Sequence, residues 1–169
     1  MEYTCTTIKS DGETDAASTK YAEKVVTNTL RAALAQGYNL AANASSGELT
    51  LTCNGQTTII VTPAEPLPKP TRPQWREVLA LASSPGPVVW AYGTRNVIQM
   101  RDGERLLVHS TTMSLINGGY LGPLTGEGNP ADLSLLAYLV LGAGQKDVHA
   151  DQWLAQALTR AYRAPSSAV

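Results

Sequence analysis

The 169-residue chain contains no phenylalanine, and charged residues make up only 16% of it. Its core must therefore come from aliphatic side chains, alanine, seven tyrosines and three tryptophans. Hydrophobic residues amount to 43%, which indicates a globular chain and excludes a disordered or fibrous one. Arginine outnumbers lysine, a usage typical of high-GC bacteria and their phages.

Signals for export, membrane insertion and metal binding are lacking. The N-terminus has neither the basic nor the apolar region of a signal peptide, and the longest apolar run, 135–141, is too short to cross a bilayer. The two cysteines (Cys5, Cys53) and two histidines (His109, His149) have no close partner at metal-ligand spacing. We expect a cytoplasmic protein with no membrane segment, no metal, no cofactor and reduced thiols.

Nothing in the chain has the pattern of a catalytic centre. There is no G-x-S-x-G and no cysteine with an obvious histidine partner. The run 137–147 imitates the start of a dinucleotide-binding fingerprint, but Asp147 stands where the third glycine belongs. We interpret residues 142–144, Gly-Ala-Gly, as a linker between two helices, and the protein as a non-enzyme.

The first 62 residues predict an antiparallel β-α-β-β-β domain with one helix on one face. Residues 2–8 alternate as a strand does, and a helical spacing then follows, capped by Thr14 or Asp15 and stopped by Gly37. Three strands complete the sheet. The α+β fold class rests on this pattern.

Asn54-Gly55 joins the last two of these strands. The pair supplies both positive-φ residues of a two-residue type I′ turn. Such a turn pairs Leu49 with Ile60, and it places both side chains with Leu51 on the face toward the helix.

Residues 63–73 hold five prolines and predict a stiff connector between two domains. The second domain, 74–164, is a winged-helix-like α+β domain with two C-terminal helices, followed by a frayed tail at 165–169. Residues 67–110 carry six basic and three acidic groups, a local net charge of +3.

The second domain opens with a capping box, in which Thr71 caps a helix and Gln74 reaches back. Residues 88–92 predict a strand. Asp102-Gly103 predicts a hairpin that pairs Gln99 with Leu106.

Three further helices follow this hairpin. One runs from Ser110 to about Asn117 and stops at Gly118-Gly119. The next starts at Asn129-Pro130 and ends near Leu141. The last is amphipathic, with an apolar side and an end near Arg163. Its apolar side consists of Val148, Trp153, Leu154, Ala157, Leu158 and Tyr162.

Residues 71–121 resemble a winged helix. The recognition helix of many bacterial regulators ends in T-x-x-x-L-x-x-x-G-Y-L, and the positions that match it are Thr111, Leu115, Gly119, Tyr120 and Leu121. The resemblance implies DNA contact. The chain departs from the winged-helix pattern in two ways. It has a hairpin where the middle helix belongs, and it has no basic residue between Arg105 and Lys146.

The sequence thus predicts a non-catalytic regulatory or accessory protein with a macromolecular partner, and two kinds of partner stay open. If the partner is DNA, the contacts are Arg76, Arg95, Arg101, Arg105, Thr111, Thr112 and Asn117. If it is a protein, the chain is an adaptor, an inhibitor or a homodimeric scaffold, with Trp90 and Tyr92 as anchors.

Overall fold

The computed structural model describes residues 1–9, 11–12, 14–15, 19–53, 57–83, 88–92, 96–100, 106–107, 109–122 and 133–163. The helices are α1 (Glu23–Ala35), α2 (Arg72–Ala82), α3 (His109–Asn117), α4 (Leu135–Gly144) and α5 (Ala150–Arg163). The strands are β1 (Glu2–Ile8), β2 (Thr14–Asp15), β3 (Lys20–Ala22), β4 (Asn39–Asn43), β5 (Glu48–Thr52), β6 (Thr58–Pro63), β7 (Val88–Tyr92), β8 (Asn96–Met100) and β9 (Leu106–Leu107). The α+β fold class is confirmed.

The chain divides into two compact units. Unit 1 combines Met1–Pro68 with Gly142–Val169, and unit 2 is Lys69–Leu141. The first division falls inside the predicted proline-rich connector. The second division falls inside α4, so α5 belongs to unit 1. The sequence predicted this last helix as part of the second domain.

Unit 1 is built on an antiparallel sheet with the strand order β2-β1-β6-β5-β4. The short strand β3 also pairs with β1, so that β2 and β3 share the outer edge of that strand. The sheet is therefore five strand positions wide. The predicted order of one strand, a helix and three strands is present as β1, α1, β4, β5 and β6.

Helix α1 begins later than the sequence predicts. Thr14 and Asp15, the predicted caps, lie instead in β2, and the strand Lys20–Ala22 follows before the helix starts at Glu23. Pairing with β1 occupies Thr14–Asp15 and Lys20–Ala22, and Ala22 caps α1 without a side-chain hydrogen bond. The sequence thus placed the start of the helix among residues that form the edge strands of the sheet.

The end of α1 is as predicted. Gly37 has φ +89°, in the left-handed region that glycine enters without steric cost. The Tyr38 amide donates to the Ala33 carbonyl at 3.0 Å, and the Gly37 amide donates to the Leu34 carbonyl at 3.1 Å. These two bonds form a Schellman motif, which satisfies the last carbonyls of the helix.

The β5–β6 hairpin has a different register from the predicted one. Leu49 pairs with Val61 and not with Ile60, which instead pairs with Thr50. A shift of one residue turns Ile60 to the other face of the sheet and turns Val61 toward the core, where it is buried. The predicted turn residues Asn54-Gly55 lie outside the described residues.

Helix α5 completes the core of unit 1. It packs against α1 and β4, and Leu154 and Leu158 on its inner side are fully buried. Helix α4 passes close to α5 at Gly142, because a Cβ there would lie 2.9 Å from Leu154 Cδ2. Residues 142–144 are thus the end of α4 rather than a linker, and Val148 is 90% exposed and lies before α5, not on its apolar side.

The start of unit 2 follows the sequence closely. The Thr71 amide donates to Gln74 Oε1 at 2.9 Å, and the Gln74 amide donates to Thr71 Oγ1 at 3.3 Å, which confirms the capping box of α2. The three-stranded sheet β7-β8-β9 follows. Gln99 pairs with Leu106 as predicted, while the Asp102-Gly103 turn lies outside the described residues.

Helix α3 ends in a second Schellman motif at Gly119, which has φ +80°. Helix α4 starts at Leu135, later than predicted, because Ser134 caps it by accepting from the Ala137 amide at 3.1 Å. Leu133, just before this cap, forms a β-bridge with Leu121. The predicted start, Asn129-Pro130, lies outside the described residues.

Candidate interaction surfaces

The two faces of the unit 1 sheet differ sharply in burial. Tyr3, Leu49, Leu51 and Val61 are all almost completely buried, and the strand pairings place them on one face. Because the buried residues of α1 and α5 need a matching apolar surface, both helices cover this face. Strand side chains alternate, so the residues between the buried ones point the other way.

We call this opposite side the threonine face. It consists of Thr4, Thr6, Ile8, Thr50, Thr52, Thr58, Ile60 and Thr62. All are half-buried except Thr52, which is exposed. Six β-branched hydroxyl side chains and two isoleucines thus form a surface of low charge on the side of the sheet away from the helices.

The strand register arranges this surface in rows across the sheet. The central row pairs Thr6 with Ile60, Ile60 with Thr50 and Thr50 with the exposed Ala41. Ile60 lies on β6, the middle position of the five-position sheet. The one aliphatic side chain of the central strand is therefore near the centre of the face.

Charged residues lie toward the ends of an adjacent row. Lys20 on β3 pairs with Thr4, and Thr4 pairs with Thr62. The Thr4 hydroxyl donates to the Thr62 carbonyl at 3.4 Å. Glu48, one residue before Leu49, continues this row and pairs with Asn43 on β4. A cation thus lies at one edge of the row and a carboxylate near the other, and both side chains are exposed.

The three residues of α3 that the sequence predicts as DNA contacts do not form one surface. Thr112 is fully buried, so its side chain faces the core of unit 2. Thr111 is half-buried and Asn117 is exposed. At about 100° per residue, the six steps between them separate their directions by roughly 120° around the helix.

Among the predicted phosphate contacts, Arg76 is exposed on α2, and Arg95, Arg101 and Arg105 lie outside the described residues. The predicted protein anchors, Trp90 and Tyr92, lie on β7, where they pair with Ile98 and Asn96. Unit 2 contains six basic and five acidic residues, a net charge of +1, while unit 1 contains seven and nine, a net charge of −2.

Gln74 has a second role that the sequence analysis missed. Its Nε2 donates to both the backbone carbonyl and the hydroxyl of Ser114, at 3.3 and 3.1 Å, and so ties α2 to α3. A Cβ at Gly118 would lie 2.9 Å from the Tyr120 ring and 3.2 Å from Gln74 Nε2. The side of α3 next to α2 is therefore packed.

Two arginines of unit 1 are also engaged in packing. The Arg31 guanidinium lies 5.1 Å from the centroid of the Tyr162 ring, and Arg163 Nη2 donates to the Tyr38 carbonyl at 3.5 Å. Arg163 lies in the last turn of α5, where a cation is favourable to the helix dipole.

Desolvation raises the pKa of two titratable groups in unit 1. Burial, with a contribution from Glu23, raises the pKa of the Tyr3 hydroxyl, and this hydroxyl has no hydrogen-bond partner among the described residues. Burial also raises the pKa of the free Cys5 thiol. Protonated thiols react slowly, because the thiolate is the nucleophile.

Comparisons with protein-family models, with curated proteins and with solved structures find no match to this chain. Within the described residues, no helix is both long and apolar enough to span a membrane.

Proposed function

We propose that this chain is a non-catalytic regulatory or accessory protein that acts by binding another protein. The observation that carries the proposal is the threonine face, which unit 1 presents on the side of its sheet away from α1 and α5. Its partner would be a protein surface that is itself flat and weakly charged, since charge is what the centre of the face lacks.

The charge content of the face favours a protein partner over DNA. The cores of protein interfaces are depleted in charged residues, whereas binding to DNA draws most of its affinity from lysine and arginine at phosphates. Lys20 is the one cation that the described rows place on this face, and Glu2 and Glu48 oppose it. The burial of Thr112 and the small net charge of unit 2, +1, both argue against the DNA alternative.

Two matched variants test this proposal. Ala41→Arg places a long cation at the end of the central row, and Ala32→Arg places the same side chain on the exposed side of α1. Proteins retained by the wild-type chain would be purified and their affinities measured by calorimetry for all three chains. We expect Ala41→Arg to weaken binding at least about tenfold and Ala32→Arg to leave it unchanged, as charge introduced at an interface core does.

A parallel titration tests the DNA alternative. Mixed-sequence duplexes would be added at about 50 and 200 mM salt, the range where counterion release is visible. Binding at the lower salt that falls steeply at the higher one, together with equal behaviour of Ala41→Arg and Ala32→Arg toward proteins, would overturn the proposal.

A further inference from the structure

We infer that the protein seated on the threonine face is a second copy of this chain, packed sheet to sheet about a twofold axis. The inference rests on the proposed function and names its partner. The observation behind it is that each row of side chains on the face is complementary to the same row of a second copy.

The geometry of sheet packing restricts how two copies can meet. Two sheets stacked face to face keep their strands within about 30° of each other. A twofold axis parallel to the strands, between the sheets, keeps each row level with the same row of the second copy. It also reverses the order of the strands, so that the β3 edge of one copy lies over the β4 edge of the other.

The reversal brings an aliphatic contact to the centre. Ile60 on β6, the middle position, meets Ile60 of the second copy near the axis. Thr6 and Thr50, its neighbours on either side, exchange places across the interface. An isologous contact of this kind buries Ile60, the apolar side chain nearest the axis, where shielding from water is greatest.

The same reversal pairs opposite charges at the rim. Lys20 at the β3 edge lies over Asn43 of the second copy and beside that copy's Glu48. By symmetry this contact forms twice. A half-turn about an axis perpendicular to the strands would not keep this row level with itself, and Lys20 and Glu48 would then not meet. The charges therefore favour the axis parallel to the strands.

The size of the face sets the expected affinity. Five strand positions about 4.8 Å apart and three rows about 7 Å apart cover roughly 500 Å² on each copy. A dimer then buries on the order of 1,000 Å² in total, near the lower limit for specific interfaces. We expect weak association, as for other interfaces at this lower limit.

Charge reversal tests both the occupant and its orientation. Sedimentation equilibrium of the full chain would be run from about 5 to 500 µM at about 50 mM salt, where exposed ion pairs are least screened. Lys20→Glu alone and Glu48→Lys alone each place like charges together twice, and we expect each to weaken association about three- to tenfold. An equimolar mixture of the two variants restores opposite charges in the mixed dimer, and we expect it to associate at least as tightly as the wild type.

Lys24→Glu is the matched control, since Lys24 is exposed on α1, away from the face. We expect it to dimerise as the wild type does, and circular dichroism checks that every variant is folded. A wild-type chain that stays monomeric at the highest concentration, or a mixture no tighter than either variant alone, would overturn the inference. If the inference fails but Ala41→Arg still disrupts binding to another protein, the proposed function stands with a different partner.

Discussion

Asp151 in the first turn of α5 accepts a hydrogen bond through Oδ1 from the backbone amide of Ala44, at 2.7 Å. Ala44 is buried in the turn between β4 and β5. This bond joins the C-terminal helix to a sheet built from the first 63 residues. It helps to hold α5 against the sheet within unit 1.

Asp151→Ala should therefore destabilise unit 1. The change leaves the part-buried Ala44 amide without its acceptor, which costs about 1–3 kcal/mol for a bond to a charged group. Chemical denaturation would measure the loss. Gln152→Ala, at an exposed neighbouring position, is the control and should change the unfolding free energy by less than about 0.5 kcal/mol. Equal effects of the two changes would mean that the bond does not form.

Gly37→Ala isolates the backbone cost at the end of α1. No atom lies within 4 Å of where a Cβ would stand, so the only penalty is that of φ +89°. We expect a loss of about 1–2 kcal/mol in unfolding free energy. Gln36→Ala, at the preceding residue with φ −86°, should be close to neutral. A stable Gly37→Ala variant would contradict the Schellman motif.

Gly142→Ala tests the contact between α4 and α5. Leu154 is fully buried and has little room to shift, so a Cβ 2.9 Å from its Cδ2 should cost about 1–3 kcal/mol, as overpacking does. In a double-mutant cycle with Leu154→Ala, the smaller side chain leaves room for the new methyl group. The double variant should be more stable than the sum of the single changes predicts. Strict additivity would show that the two residues do not meet.

Local signals in the sequence predicted those parts of the fold that local chemistry decides. The capping box of Thr71 and Gln74, the stop at Gly37 and the pairing of Gln99 with Leu106 each depend on a few neighbouring residues. The start of α1 does not, because Thr14, Asp15 and Lys20–Ala22 are taken up by pairing with β1.

The β5–β6 register also needed more than local information. Asn54-Gly55 predicted a two-residue turn, but the observed register places Val61 and Ile59 opposite Leu49 and Leu51, where the predicted one would place Ile60 and a threonine, and the sheet register follows the buried face. That error put Ile60 on the wrong face and concealed the threonine face. With the correct register, the alternation of threonines along β1, β5 and β6 could have indicated it.

The surface on which the protein meets its partner can be mapped directly. Amide chemical shifts of the ¹⁵N-labelled chain would be recorded over a dilution series from about 500 to 5 µM, which spans the expected weak association. The account predicts concentration-dependent shifts centred on Thr50, Ile60 and Thr62, with no change along the exposed side of α1. Shifts that centre instead on Arg76 and Asn117 of unit 2, or spectra that do not change with concentration, would contradict it.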